Sequence, residues 1–173
     1  STLFPYTTLF RSPYRSGVQK MQDSIASLAS SLRSTQVLNG TSLVGHDVMA
    51  QTDSFTLTEG VGIAGEVDVP AGAATLQIRI TDSSGALVRE ITTEPTTGIN
   101  TFTWDGKRAD GTFAASGEYE IEAIAANGDI NASIEVLMAG RVSSVTIDSQ
   151  GTGLTLNTGA LGPIAMNNVR RVM

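Results

Sequence analysis

Residues 101–119 read TFTWDGKRADGTFAASGEY, and this stretch decides the fold class. It holds four of the nine aromatic residues of the chain together with two Asp-Gly pairs. Side chains alternate along a strand, so Phe102 and Trp104 share one sheet face, and Asp-Gly pairs supply turn positions with positive φ. The stretch therefore predicts a β-hairpin in an antiparallel sheet, not a catalytic loop, with Phe102, Trp104 and Tyr119 in the core.

A regular succession of strands surrounds this stretch between residues 62 and 136. Short alternating runs are separated by Pro, Gly, Asp and Asn turn signals at intervals typical of a β-sandwich. We predict six strands, at residues 63–69, 75–81, 86–92, 101–104, 118–125 and 129–136. The sequence thus favours a fibronectin type III-like or immunoglobulin-like domain over residues 62–136.

The segments on either side, 42–61 and 137–173, are each too short to fold alone. The first predicts about two strands, with Phe55 and Leu57 facing inward, and the second predicts three. Domains below ~40 residues seldom fold unaided, whereas the joined segments reach a workable size. We therefore expect one small five-stranded barrel, 42–61 plus 137–173, interrupted by the 62–136 domain, with boundaries near residues 60–62 and 135–136.

Residues 20–39 change to the period of an amphipathic helix. Asn39-Gly40 suits its end, because either residue can adopt a left-handed cap. A stripe this narrow is also the seam of a coiled coil, so packing on the chain itself and self-association both remain open. The apolar positions recur at intervals of four, three and four: Met21, Ile25, Leu28 and Leu32.

The first 16 residues, STLFPYTTLFRSPYRS, differ in composition from the rest of the chain. They hold another four of the nine aromatic residues, and TLF-P-Y reappears as TLF-RS-PY. Prolines and the lack of a period disfavour a packed element. We expect residues 1–16 to be a non-native leader without function, with a native aromatic docking peptide as the alternative.

Charge and composition exclude several classes of function. The net charge is −6, and residues 21–173 hold 17 acidic against 8 basic residues, a net charge of −9, which disfavours nucleic acid as a partner. The chain has no cysteine, so disulfides and thiolate chemistry are excluded. No apolar run approaches the ~20 residues that span a bilayer, and the N-terminus lacks a conventional signal-peptide pattern. We expect no membrane partner.

Catalytic and metal sites find little support. His46 is the only histidine, and no G-x-S-x-G context surrounds any serine, so we interpret His46 as a turn residue or the first residue before a strand. Asp105 and Asp110 invite comparison with a calcium loop, but Lys107 stands where another ligand belongs. We interpret both aspartates as turn formers and expect neither a metal ion nor a cofactor.

Glu118, Glu120 and Glu122 form an acidic run on one face of a predicted strand. Such runs are usually solvated, and they hinder edge-to-edge pairing with another sheet. Residues 62–133 hold 11 acidic and 4 basic residues, so this face is also a candidate for binding a basic groove.

Three motifs of the central stretch resemble a known family: WDGK, ADG and SGEY, all within residues 104–119. Together with LVGHDVMA at 43–50, GRVSSVTID at 140–148 and NNVRRV at 167–172, they resemble the bacterial flagellar hook-capping protein family. The resemblance covers most of residues 21–173 and implies a Tudor-like barrel interrupted by a fibronectin type III-like or immunoglobulin-like domain. At the front, the anomalous leader stands where the family has its own N-terminal region.

The resemblance also implies a function. It is that of a non-enzymatic scaffold at the distal end of the growing flagellar hook, where arriving hook subunits are incorporated. The implied partners are the hook protein, further copies of the chain in a ring-like cap, and the flagellar export apparatus, with export independent of a conventional signal peptide.

A different class of function uses the same kind of domain. Immunoglobulin-like modules also end some secreted bacterial enzymes and adhesins, where they bind ligands such as carbohydrate. Such modules usually end the chain, whereas 37 residues of β pattern follow Val136 here. The interrupted barrel, and with it the assembly scaffold, is therefore favoured.

Overall fold

The computed structural model describes residues 14–128, 130–147 and 153–173. The one α-helix among them, α1, runs from Tyr14 to Thr41, so it begins earlier and ends later than predicted. Val18 lies three residues before Met21, so the apolar repeat already continues into the added turns. Residues 14–16 of the expected leader are helical, while residues 1–13 lie outside the described residues. Within the described ranges, no helix is long and apolar enough to cross a bilayer.

The end of α1 corrects the expected left-handed cap at Asn39-Gly40. The helix continues through both residues, and Gly40 is not among the glycines with positive φ. A Cβ atom at Gly40 would lie 3.0 Å from Leu154 Cδ1 and 3.1 Å from Val145 Cγ1. Glycine is needed here because the backbone packs closely against two side chains, a requirement that local sequence does not reveal.

Residues 37–173 form one compact unit, which we call the β body. Its strands follow the turn signals of the sequence closely, and the strand Ile63–Val69 has the predicted bounds. The segment 137–173 was predicted to hold three strands, but its described residues hold four, because a short 3-10 helix, Met166–Asn168, divides the last predicted one. The twelve strands among its described residues are β1 (Asp47–Gln51), β2 (Ser54–Leu57), β3 (Ile63–Val69), β4 (Thr75–Asp82), β5 (Leu87–Thr93), β6 (Gly98–Trp104), β7 (Gly117–Asn127), β8 (Ile130–Ile134), β9 (Val136–Ile147), β10 (Leu154–Thr158), β11 (Gly162–Ala165) and β12 (Val169–Val172).

The strands form two antiparallel sheets. The first has the order β11-β10-β9-β1-β12 and curls into a half-barrel; β3 pairs with β9 at its side, and β6 pairs with β3. The second has the order β2-β7-β4-β5, with β8 also paired to β7. The predicted fold class is thereby confirmed: the chain is mainly β, with one helix, a half-barrel and a second sheet that packs over β3 and β6.

The predicted hairpin within residues 101–119 is wrong. β6 pairs with β3, whereas β7 pairs with β2, β4 and β8, so the two strands lie in different sheets. The intervening loop crosses from one sheet to the other and forms only a local bridge between Lys107 and Phe113. Asp-Gly turns mark where the chain reverses, but they do not determine which strands pair afterwards.

β2 does not join the half-barrel strands with which the sequence grouped it. It pairs with β7, with Phe55 opposite Tyr119 and Leu57 opposite Gly117. The alternation is as predicted, since Phe55 and Leu57 are buried while Ser54 and Thr56 are exposed. The inward face was therefore readable from the sequence, but it packs into the core of the sandwich.

β9 connects the two parts of the β body. Val136 and Met138, at its beginning, lie in the large core with residues of β3, β4, β6 and β7. Val142, further along the strand, packs with Leu43, Val48 and Leu156 in a smaller core within the half-barrel. A single long strand thus contributes to both cores, and the half-barrel and the sandwich are built on shared structure.

A close approach inside the first sheet requires a glycine. A Cβ atom at Gly65 on β3 would lie 2.5 Å from Phe102 Cζ and 2.8 Å from the carbonyl oxygen of Leu137. The ring of Phe102 therefore lies over the glycine and fills the space that a side chain would occupy. With its ring over β3, Phe102 is only 6% exposed.

Candidate assembly surfaces

The apolar stripe of α1 lies on the surface. Its four predicted members, Met21, Ile25, Leu28 and Leu32, are 58–64% exposed. Val18, 55% exposed, extends the stripe by one position at the same spacing; the 3.5-residue repeat was the signal that would have found it. We call these five residues the α1 stripe.

Three hydroxyl side chains of α1 form hydrogen bonds within the helix itself. The hydroxyl groups of Ser24, Ser34 and Thr35 donate hydrogen bonds of 2.8–3.1 Å to backbone carbonyls four residues earlier. Hydroxyls bonded in this way add little charge or reach to the helix surface. The α1 stripe is therefore the chemically distinctive part of the helix.

Glu118, Glu120 and Glu122 are exposed on one face of β7, opposite the buried Tyr119 and Ile121. The interpretation that they protect an edge is wrong, because β7 is a central strand. β4 pairs with it on one side, and β2 and β8 pair with successive parts of its other side. The three carboxylates therefore lie on the exposed face of the second sheet, not at its edge.

Basic side chains partly offset the negative charge of this face. An open cleft of about 800 Å³ lies where β2 and β8 approach each other along β7. Its lining includes Glu120, Glu122 and Glu135, but also Arg79. Arg79 lies 3.9 Å from Glu90, and Arg170 lies 3.3 Å from Glu135. Half-exposed pairs of this kind contribute little to stability, but their arginines offset the charges of Glu90 and Glu135 beside the three glutamates.

The three predicted core residues Phe102, Trp104 and Tyr119 are buried, with 2–6% exposure. Sequence reasoning missed one member of the same cluster: Phe55, whose ring centroid lies 5.9 Å from that of Tyr119 and 6.2 Å from that of Trp104. Its position within a predicted inward-facing run was the available signal.

Two polar atoms of this cluster hold the loop between β6 and β7. Trp104 Nε1 donates a 2.7 Å hydrogen bond to the carbonyl oxygen of Lys107. The hydroxyl of Tyr119 donates a 2.7 Å bond to the carbonyl oxygen of Ala115. Buried aromatic rings with a polar atom at the surface commonly bind backbone in this way. The loop is thus fixed to the core at both of its ends.

The aspartates of this loop are turn formers, as interpreted from the sequence. Asp105 accepts a 3.1 Å bond from the backbone N–H of Lys107, and Asp110 accepts bonds from the backbone N–H and the hydroxyl of Thr112. The Thr112 hydroxyl is the largest of the influences that lower the pKa of Asp110 below its usual value of 3.8. Each carboxylate therefore accepts hydrogen bonds from within its own turn.

His46 lies immediately before β1, as expected for a residue that precedes a strand. Its backbone N–H donates to the carbonyl oxygen of Leu43, and its carbonyl oxygen accepts from the N–H of Val142. The side chain is exposed. These two backbone hydrogen bonds position His46 at the beginning of β1.

The β architecture and its connections define an immunoglobulin-like domain joined to a half-barrel, and comparison with known families identifies the domain. The FlgD Ig-like domain family matches residues 52–129. This match begins before β2 and so includes the strand that pairs with β7.

Whole-chain relatives extend the match to both flanks. The basal-body rod modification protein FlgD of Salmonella typhimurium is 32% identical over 170 residues, covering 91% of this chain and 71% of the relative. The corresponding protein of Escherichia coli is 29% identical with the same coverage. This chain belongs to the FlgD family.

Two solved structures share the fold. FlgD from Xanthomonas campestris, described in connection with hook capping essential for flagellar assembly, has a TM-score of 0.70 and 31% identity, covering 80% of this chain and 99% of that one. FlgD from P. aeruginosa has a TM-score of 0.65 and 26% identity, covering 74% of this chain and 97% of that one. The fold of this chain is therefore similar to that of these two FlgD proteins.

Proposed function

We propose that this chain is part of a scaffold that caps the distal end of the growing flagellar hook and promotes the incorporation of hook subunits. The observation that carries the proposal is its similarity, in sequence and fold, to the X. campestris FlgD structure described for hook capping. The role is one of binding and placement, and it requires no catalytic step from this chain.

The α1 stripe is the surface proposed for self-association. Its five residues are more than half exposed and follow the heptad-like spacing of a helix seam. Burying such a stripe against other copies removes apolar area from water, and each contact in a ring-like cap adds to the avidity of the others. The exposure of the stripe supports this use of it.

The acidic face of β7 is the surface proposed for the hook subunit. Glu118, Glu120 and Glu122 point outward from a central strand, which positions them firmly. Acidic residues at the rim of an interface accelerate and orient association with a basic partner more than they increase its affinity. Weak, oriented contact suits a cap that must repeatedly accept and release subunits.

The protein must also reach the distal end of the hook. We propose that the protein reaches the hook end through the flagellar export apparatus, without a conventional signal peptide.

The rival function, a binding module of a secreted enzyme or adhesin, requires only the immunoglobulin-like domain. The similarity to S. typhimurium FlgD covers 91% of the chain, including the helix and half-barrel regions, and this breadth favours the cap.

Replacing Ile25 and Leu28 with Asp tests the proposal. In the full-length protein, these changes place two charges in the α1 stripe and are expected to abolish hook growth in a complementation assay. The matched control replaces Ser30 and Ser34 with Asp, because at 100° per residue they lie on the opposite face of α1. The control is expected to support normal hooks.

Two readouts separate loss of assembly from loss of folding. Trp104 is the only tryptophan among these 173 residues, so in this chain with the same substitutions its fluorescence reports the β body alone, and its unfolding curve is expected to be the same in both variants. Normal hooks from the I25D/L28D variant would exclude the stripe from cap assembly.

A further inference from the structure

The free edges of the two sheets differ in how well they are protected. A strand that pairs on one side only presents unpaired N–H and C=O groups, and proteins usually block such edges with charges, proline, bulges or very short strands. Among the described strands, those that pair with a single neighbouring strand are β2, β5, β6, β8, β11 and β12.

Every one of these edges except β6 carries a blocking feature. On β2, the N–H of Thr56 bonds to the carbonyl oxygen of Ala160, so a loop covers the edge. β8 has only five residues and is followed by Glu135 and β9. The other three edges contain charged residues or proline: Arg89 and Glu90 on β5, Pro163 on β11, and Arg170 and Arg171 on β12.

β6 has none of these features. Its seven residues, GINTFTW, include no charge and no proline, and its register with β3 runs without a shift from Ile63 opposite Trp104 to Val69 opposite Gly98. Ile99, Thr101 and Thr103 are exposed on one face, with Ile99 at 65%. Threonine and isoleucine are residues that favour strand pairing.

We propose that β6 is an interface for a second copy of this chain, which pairs antiparallel through its own β6. Thr101 is the middle residue of the seven, so pairing of the whole strand places Thr101 opposite Thr101 and Ile99 opposite Thr103. Thr–Thr and β-branched cross-strand pairs are favourable, and the pairing satisfies the outward backbone groups of both strands. The two first sheets become one continuous sheet.

Charge favours another copy of β6 over the other edges of the molecule. The chain is acidic, with a net charge of −6, so most contacts between copies bring like charges together. Two β6 strands contain no charged residue, and Glu66 and Asp68 lie one strand further away, on β3. By contrast, the middle residue of β5 is Glu90, and the same symmetrical pairing of β5 would place Glu90 opposite Glu90, which is destabilising.

This interface is independent of the α1 stripe and of the hook-capping proposal. A single added strand pair is small, so we expect a dissociation constant on the order of 0.1 mM, in the range of weak transient contacts. An interface of this strength forms where copies are concentrated.

The test uses the full chain with Ile25→Asp and Leu28→Asp, so that α1 does not contribute. Sedimentation velocity is expected to show a monomer–dimer equilibrium up to ~1 mM. Thr101→Lys places two lysines opposite each other and is expected to weaken the dimer at least about tenfold. The matched control, Thr92→Lys on the edge strand β5, is expected to leave the dimer unchanged.

Charge reversal tests the register. Thr101→Glu alone is expected to be as monomeric as Thr101→Lys, whereas an equimolar mixture of the two variants is expected to associate again, because lysine then faces glutamate. Trp104 fluorescence and slower hydrogen exchange of β6 amides at high concentration check folding and location. A monomeric parent, equal effects of the Thr101 and Thr92 variants, or no association in the mixture would each overturn the proposal.

Discussion

In β4 the apolar residues Leu76, Ile78 and Ile80 are at most 1% exposed, whereas in α1 the residues Met21, Ile25 and Leu28 are more than 60% exposed. Both sets follow the period of their own secondary structure. Periodicity identifies the apolar face of an element, but it contains no information about what covers that face. The difference between the two regions therefore separates residues that hold the fold together from residues available to other molecules.

Deleting part of the β body and deleting most of α1 are expected to have very different effects on folding. This difference is the largest effect that we predict. Removing residues 137–173 takes β9 from β3 and removes Met138, Leu161 and Ile164 from the large core. We expect the remaining β body to lose cooperative unfolding, because a domain cannot retain its core with those contacts absent. Circular dichroism and Trp104 fluorescence during urea unfolding measure this.

The matched deletion removes residues 1–36, the other compact unit of the chain. It is expected to change the free energy of unfolding of the β body by less than about 1 kcal/mol, since the deleted apolar stripe is exposed. A cooperative transition in the 137–173 deletion would show that the sandwich folds independently of the half-barrel.

A smaller effect is expected from a single aromatic residue. Trp104→Ala is expected to destabilise the β body by about 3–5 kcal/mol, because the 2% exposed ring contacts Phe55 and Tyr119 and its removal leaves a cavity. Phe113→Ala is the control: it lies in the loop that follows Trp104 but is 50% exposed, and we expect a loss below about 1 kcal/mol.

Chemical denaturation followed by circular dichroism measures both substitutions without the tryptophan signal. Equal losses would contradict the assignment of Trp104 to the core. They would also remove the distinction between buried and exposed aromatic residues on which the comparison depends.

The smallest expected effect concerns the turn at Asp110. The Thr112 hydroxyl and N–H bonds lower the pKa of Asp110 below the value of 3.8 for an unstructured aspartate. A lowered folded-state pKa contributes stability that is present above pH 3.8 and is lost as the pH falls through the folded value. Thr112→Val is expected to raise the pKa of Asp110 toward 3.8, as measured by carboxyl-carbon NMR titration.

Thr92→Val, on β5, is the control for this titration and is expected to leave the pKa of Asp110 unchanged. An unaltered Asp110 pKa in the Thr112 variant would mean that the hydroxyl does not stabilise the carboxylate. Because the carboxylate is fully exposed, this substitution is expected to change global stability less than either of the preceding tests.

The features that could be predicted from the sequence were the local ones. The alternation of Phe102 with Thr101 and Thr103, the bounds of β3, and the turns at Gly106 and Gly111 depend on residues next to one another in sequence. The candidate stripe on α1 was found for the same reason. Its missed member, Val18, obeys the same spacing and was lost only because the helix was predicted to begin at residue 20.

The pairing of strands was not predictable in the same way. An inward-facing run such as Phe55 and Leu57 fits the half-barrel and the sandwich equally well until β7 is known to lie beside it. Glu118, Glu120 and Glu122 suited an edge strand by composition, yet three neighbouring strands make β7 central. Which strands are neighbours depends on contacts between residues far apart in sequence, and alternation is the same for each choice.

By itself, the sequence determined the β class, the apolar helical stripe, the acidic character and, through the WDGK, ADG and SGEY motifs together with the segments that flank them, the family. Only the tertiary structure decided that β6 and β7 lie in different sheets, that β9 belongs to two cores, and that Gly40 and Gly65 are required by close packing. Local conformation follows from the energies of adjacent residues, whereas these features depend on which distant surfaces fit together when the chain excludes water from its core.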